Sequence, residues 1–582
     1  MRMSGLFERL SAARRAEADF LMAARGPSGG WTGELSPGAV AAATGAFALH
    51  RLGGASRLSE VLSILGWLKA TALECGGWGD TPSSPANPSA TLLSMCALHP
   101  FRDTGEFSGC YRRARAFMEG VCDFSSPESV AASVLGIYGS DLTFSAPILA
   151  ACASSGLLGA DAPWRFVPRL PFELAALPQG LFSAARLPVV SYAIPALVAV
   201  GLAKAANSGP LGRAEFRLLS DFLVSKISRM QPSSGGFLEA VPLTAFCGIC
   251  LAEAGLGKCG LCARGEEFIL RMLRPDGSLP IDWNLSGWLT SLSASALGEL
   301  LDGGARAELC GLLKSRQLRA PHPFTSAEPG GWAWIPTDGG VPDADDTCAA
   351  LCAIAGLSDG LCPEAEAGVE WLLGLQNRDG GIPTFCRGWN SLPFDRSCPD
   401  ISAHALKALH SWIPRLSGGL RARAEAAAGR IAGYLEKSQS PEGSWTSLWF
   451  GDQDCPGGVA PVLGTAIALD HAGGLPYCRG AFERGAGYLE RAQNPDGGWG
   501  GAPGAPSKNL ITARAVSALS RVGGRRRAAL AGAEALLRFP PQKSEPIGLY
   551  FSKLWYSEKL YAPILRLNAF SDALKLFGKN EA

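Results

Sequence analysis

Charge imbalance is the first thing this 582-residue chain lacks: 53 Lys and Arg stand against 52 Asp and Glu, a formal net charge of +1. A nucleic-acid surface needs an excess of cations to displace phosphate counterions, so that class of partner is not expected. Charge of either sign is also scarce, at 18% against 47% apolar residues. Much of the chain must therefore be buried, in a core or around a large apolar cavity. Alternating β-branched runs are rare, which removes extended sheet. No stretch reads as a membrane-crossing helix: residues 142–160 and 187–203 lack charge, yet both contain proline and the first is rich in Ser and Gly. The run Met1–Leu10 breaks its apolar residues with charges, so no secretory leader is expected. The 17 Cys are then expected as reduced thiols. Cys247-x-x-Cys250 and Cys259-x-x-Cys262 stand closer together than the two halves of a zinc ribbon, and no metal or organic cofactor is expected.

What is abundant is punctuation. The 72 Gly and 40 Pro imply many helix ends and turns, and the length implies at least two domains. The turns recur as a repeat. Gly487-Tyr-Leu-Glu-Arg-Ala-Gln493-Asn-Pro-Asp-Gly-Gly-Trp499 is the clearest copy, and Gly433-Tyr-Leu-Glu-Lys-Ser-Gln439-Ser-Pro-Glu-Gly-Ser-Trp445 the next. A third keeps Gln376 but runs into Ile-Pro, and weaker copies end at Phe237, Trp78, Trp31 and Ser278. Each reads as a helix ending in a polar residue, a Gly turn, and an aromatic ring docking back on it. The glutamine is placed to satisfy backbone groups at the next helix start. With Ala/Leu-rich stretches of helical length between copies, the fold class is all-α, built of helix pairs that close into α/α barrels or stack as solenoids.

One run stands apart: Asp343-Ala-Asp345-Asp346, opening the apolar stretch Cys348–Ala355. Three carboxylates within four residues repel one another, so at least one tends to hold a proton near neutral pH. A helix N-terminus pulls the other way, favouring the ionised form. Together they describe an acid that is protonated yet ready to give its proton up. Taken alone, the run is also what an acidic cap with Asp345 or Asp346 at the N-cap would look like.

The repeats and this acidic run together resemble the squalene-hopene cyclase family, with its QW repeats and DxDD motif. Tyr138-Gly-Ser-Asp141-Leu-Thr-Phe-Ser-Ala-Pro-Ile-Leu149 resembles a further stretch of that family. The resemblance implies two α/α barrels, one inserted in the other, with an apolar cavity between them. Residues 30–285 would form the inserted barrel, and residues 1–29 with 286–582 the catalytic one. It implies that Asp345 protonates a terminal alkene and starts a cationic ring-forming cascade, with Asp343 and Asp346 tuning it. A histidine belongs against this acid, and Asp400-Ile-Ser-Ala-His404 matches its segment, placing Asp400 and His404 at i, i+4 on one helix face. Only six histidines exist to choose from.

A travelling cation needs stabilisation without a quenching base, which aromatic faces provide. By resemblance the cavity aromatics are Trp288, Trp334, Phe385, Trp449 and Tyr192. Departures fall late in the pathway. Leu289 stands where hopene cyclases carry aspartate, and Leu549 and Lys553 stand where the family has a phenylalanine and a tyrosine. Glu34 lies near the family's water-polarising glutamate but out of its register. Initiation is thus expected to be present, and termination altered.

The function expected is cyclisation of squalene or a similar linear polyprenyl chain. The family also implies monotopic attachment to the cytoplasmic side of a membrane and a possible homodimer. A cyclase of a prenyl diphosphate is the near alternative, with Lys553 or Arg387 as cations, and squalene is preferred because no basic cluster stands out. A protein prenyltransferase β-subunit would need a zinc set around Asp346 and Cys348 that does not appear, and a non-enzymatic lipid-binding barrel has no use for a buried acid cluster.

Overall fold

A computed structural model describes residues 2–138, 142–178, 194–322, 325–385, 396–549 and 554–577, with the side chains of 2–4 and 549 excepted. Tyr192, Lys553, Arg387 and Asp141 lie outside the described residues. Among the described residues the regular elements are helices, apart from short strands at Ile547–Leu549 and Leu554–Tyr556, paired antiparallel with Ile547 opposite Tyr556.

Among the described residues the helices sort into an inner and an outer kind by sequence. The helices Ser286–Leu297, Ala344–Leu357, Pro399–Trp412, Pro461–Ala472, Asn509–Val522 and Tyr561–Leu574 are rich in Ala, Leu and small polar residues and are buried along most of their length. A helix apolar on all sides has to be covered on all sides. Each of these packs on the next, and the last returns to the first, closing a ring. Outside it stand helices with one apolar stripe and one charged face, such as Arg479–Arg491 and Arg526–Leu536. The N-terminal helix Arg2–Ala23 packs on Tyr561–Leu574, so Leu6, Leu10 and Leu21 share this core with residues from 289 to 576.

A second core gathers residues from 39 to 279, with the helices Ala39–Gly53, Pro88–Leu98, Leu142–Ser155, Ile194–Ala206 and Val241–Glu253 in mutual contact. Val341 joins this core, and Phe385 packs on both.

The turns between outer and inner helices show the repeat at work. Gln439 Nε2 donates to Gly443 O at 2.8 Å and to Ala481 O, near the start of the next outer helix, at 2.8 Å. Its Oε1 accepts from Arg484. Trp445 Nε1 donates to Leu435 O at 2.9 Å, and its backbone N–H to Thr465 Oγ1. Gln493 with Trp499, and Gln376 and Gln231, repeat the glutamine pattern. Trp31 and Trp78 repeat the indole bond, to Leu21 O and Leu68 O. The ring thus ties back to a helix carbonyl, leaving the glutamine to bind carbonyls on two elements.

One further copy escapes the sequence pattern. Gln317 Nε2 donates to Gly330 O and Glu364 O, and Trp332 Nε1 to Leu313 O, each at 2.8 Å. Twelve intervening residues, 318–329, separate the glutamine from its turn, so spacing alone conceals it.

Candidate active site

Trp332 delivers the chain to the acidic run. Its backbone N–H donates to Thr347 Oγ1 at 3.0 Å, and Trp332 pairs with Asp343 in an isolated bridge. The helix then starts at Ala344 with Asp343 as its N-cap, Oδ1 accepting from the Asp346 N–H at 2.8 Å. The cap is therefore Asp343, not Asp345 or Asp346, because Asp343 alone has the extended backbone (φ −134°, ψ 167°) that a cap requires. Asp345 and Asp346 are freed to project from the first helical turn.

These carboxyls share a sequence and part in environment. Asp343 and Asp346 are buried, at 5% and 6% exposure. Burial pushes Asp343 up to about 6, although hydrogen bonds from Asp346 pull against it. Burial, reinforced by the neighbouring charge of Asp343, raises Asp346 well above the carboxylate range. Protons are thus stored in the cluster near neutral pH. Asp345 keeps 22% of its side chain exposed and lines a cavity.

On its other side stands His404, 2% exposed, with Nδ1 2.6 Å from Asp345 Oδ1. Burial opposes a charged imidazole, but hydrogen bonds to Asp345 and Cys352 outweigh it and hold His404 up to about 9. A charged ring must donate through Nδ1–H, with Asp345 Oδ1 as the acceptor. Asp400, one turn before His404 on the helix Pro399–Trp412, also lines the cavity. Its Oδ1 accepts from Cys398 Sγ at 2.6 Å, and burial raises its pKa.

The cavity, about 670 Å³ counting its solvent-open part, is mainly apolar. Trp288 forms one wall and meets the His404 ring edge-on at 6.4 Å. Leu292, Leu463, Ile467, Ile564 and Leu565 continue it between the inner helices. Of the residues singled out from sequence, Trp288, Asp345 and Asp400 share this lining. Phe385 and Trp449 form a separate edge-to-face pair at 5.6 Å, and Trp334 packs against the second core. Leu549 ends the first tail strand.

Sequence reading passed over His471, Arg514 and Cys352. His471 lines the cavity and stacks on His404 with centroids 4.0 Å apart and planes 11° from parallel. Burial, then the charge of His404, lowers His471 well below the usual range, so it is neutral. Arg514 lines the cavity too, and ion-pairs with Asp470. His471 belongs to no motif, and its one signal is its rarity as one of six histidines.

Residues 322–535 match the squalene-hopene cyclase C-terminal domain. The chain is 28% identical to enfumafungin synthase of Hormonema carpetanum over 37% of this chain and 18% of that one. It is 30% identical to drimenyl diphosphate synthase of Streptantibioticus cattleyicolor over 46% of this chain and 48% of that one. To squalene–hopene cyclase of Bradyrhizobium diazoefficiens it is 28% identical, over 40% and 39%. The chain thus resembles the squalene-hopene cyclase family, and its matches span less than half the length of each of these relatives.

Proposed function

We propose that this protein is a terpene cyclase that begins its reaction by protonating a terminal alkene of squalene or a similar linear polyprenyl chain. The observation that carries this is Asp345: an acid facing an apolar cavity, with His404 at 2.6 Å and a proton-holding pair buried behind it. In the first step the carboxyl proton passes to one alkene carbon and the other becomes cationic. The carboxylate left behind is balanced by charged His404. Neighbouring alkenes then attack the cation in turn, aided by the folded pose that the cavity walls impose. The Trp288 face, in that same lining, stabilises the positive charge without removing a proton. The cascade ends by loss of a proton or addition of water.

A second reading, cyclisation of a prenyl diphosphate, is favoured by the likeness to drimenyl diphosphate synthase. Against it, Arg514, the cation on the described cavity wall, is already committed to Asp470. The apolar chain therefore remains the preferred substrate. We also propose the division into residues 30–285 and residues 1–29 with 286–582, and attachment to the cytoplasmic face of a membrane as a peripheral protein or dimer. No helix among the described residues is long and apolar enough to cross a membrane. The helix Pro210–Met230, however, exposes Leu211, Leu218 and Phe222 at 88%, 80% and 50%, along one stripe.

The test is incubation of detergent-solubilised protein with squalene beside an Asp345→Asn variant, products read by mass spectrometry. Cyclic products from the wild type alone are expected, since an amide cannot protonate an alkene. Equal products from both would remove Asp345 from the reaction. Turnover of farnesyl diphosphate but not squalene would establish the second reading, and turnover of neither would favour a lipid-binding barrel.

A further inference from the structure

We propose that Cys259 and Cys262 form a redox-active dithiol site that takes a small-molecule disulfide and closes into a bond between its own two sulfurs. The sulfurs share a hydrogen bond at 3.5 Å. A disulfide needs about 2 Å, and rotations about the two Cα–Cβ bonds cover the difference. Cys259 is the N-cap of the helix Gly260–Met272, with Cys262 in its first turn. Cys259 is half-buried between exposed Lys258 and Gly260, while Cys262 lies behind it at 1% exposure. Cys262 Sγ also stands 3.8 Å from Leu256 O. The neighbouring Cys247 and Cys250 are buried in the second core. Among the described residues no group of three or more His, Cys, Asp or Glu is placed to hold a metal. Two thiols with no further ligand suit disulfide exchange rather than zinc.

The same place in two other repeats shows what is particular here. Gln231 Nε2 donates at 3.0 Å to Leu261 O, between the two cysteines, as Gln439 does to Ala481 O and Gln317 to Glu364 O. Those helices also begin on an N-cap cysteine, Cys478 and Cys362, but three residues on stand Ala481 and Ala365. A cysteine at the cap is thus compatible with the turn, and it is the second sulfur that makes a couple. Cys96 and Cys152 also touch, at 3.7 Å, but both are sealed in the core. At Cys259 the helix N-terminus favours a thiolate, and the Cys262 hydrogen bond outweighs burial and lowers Cys259 to about 6. The same bond, with burial, raises Cys262. The half-buried sulfur is therefore the nucleophile and the buried one its resolving partner. The Cys259 thiolate attacks one sulfur of a disulfide such as oxidised glutathione, forming a mixed disulfide and expelling one glutathione thiolate. Cys262 then gives up its proton, attacks the Cys259 sulfur and expels the second glutathione. The cysteine pair loses two electrons and two protons, and two glutathione thiols carry them away.

The site stands apart from the cyclase reading, so its test needs no turnover. Folded full-length protein is incubated with oxidised glutathione, then unfolded in iodoacetamide and cut with trypsin. Cleavage after Lys258 and Arg264 releases both cysteines on one peptide, 259–264, for mass spectrometry. The expected result is loss of both alkylatable thiols from that peptide with no glutathione retained, reversed by dithiothreitol. Cys96 and Cys152 are expected to stay alkylatable. Cys262→Ser should stop with one glutathione on Cys259, and Cys259→Ser should leave Cys262 unmodified. Full alkylation of the wild-type peptide after incubation overturns the proposal, and so does a glutathione that stays on wild-type Cys259. Oxidation of Cys96 and Cys152 at the same rate would mark unfolded chain as the reacting species and likewise overturns it. The wild-type arm decides the matter even where a serine variant does not fold.

Discussion

Three aspartates within four residues are chemically alike and end with different tasks because each meets a different amount of water. Asp343 spends one oxygen on capping, Asp346 is buried with Oδ1 unpartnered among the described residues, and Asp345 faces the cavity. The raised Asp343 and Asp346 values mean that the cluster holds protons at low pH and loses them as pH rises, Asp343 through about 6. Cyclisation rate at saturating substrate should therefore decline as pH is raised from 6 to 8, measured by initial rates. His404 runs the opposite way in charge: raised from 6.5 to about 9, its contribution to stability is whole below 6.5 and is lost as pH rises through 9. Thermal melts of the wild type should fall between pH 7 and 10, and His404→Phe should blunt that fall. His404→Phe should also lower kcat at pH 7 by about 10²–10⁴-fold, the range for a lost acid–base partner.

At the scale of the element, the repeated turn is the unit of stability. Trp445 is 1% exposed and tied by its indole N–H, so Trp445→Ala should cost about 3–5 kcal/mol in urea unfolding. Gln439→Ala removes a donor shared by two carbonyls and should cost about 1–3 kcal/mol. Gly443 has φ 97°, and a Cβ there would stand 2.7 Å from Arg484 O. Gly443→Ala should therefore destabilise, against the usual gain from replacing glycine. The Gln317 turn makes the same bonds around its twelve-residue excursion, after which the chain passes through Trp332 to the acidic helix at Ala344. Gln317→Ala should increase cleavage of that excursion in limited proteolysis.

Across the whole molecule, the tail is stitched to the second core by buried carboxyls. Asp80 accepts from the Trp555 N–H at 3.0 Å, and Glu558 from the Glu34 N–H at 3.0 Å, with Leu35 and Glu558 forming a bridge. Burial raises both acids to about 7. A raised carboxyl stabilises the fold most below its unfolded value, and that stability is lost as pH rises through 7. Amide exchange at Trp555 should accelerate between pH 6 and 8 beyond the intrinsic pH effect, and Asp80→Asn should abolish most of the excess.

The sequence by itself determined whatever depends on residues a few positions apart. Helix class, the Gly turns with their docked rings, the acidic run at a helix start, and Asp400 with His404 on one face are all set by spacings of three to six residues, which local backbone geometry reads directly. Only the tertiary structure decided which aspartate caps the helix, since that turned on the bridge between Trp332 and Asp343. It also placed Gln317 at its turn across an excursion that no fixed period reveals. His471 and Arg514 reached the acid's cavity because the closed ring of inner helices brings positions more than a hundred residues apart to one axis. Such a meeting is fixed by packing around the ring, and it leaves no periodic mark on the chain.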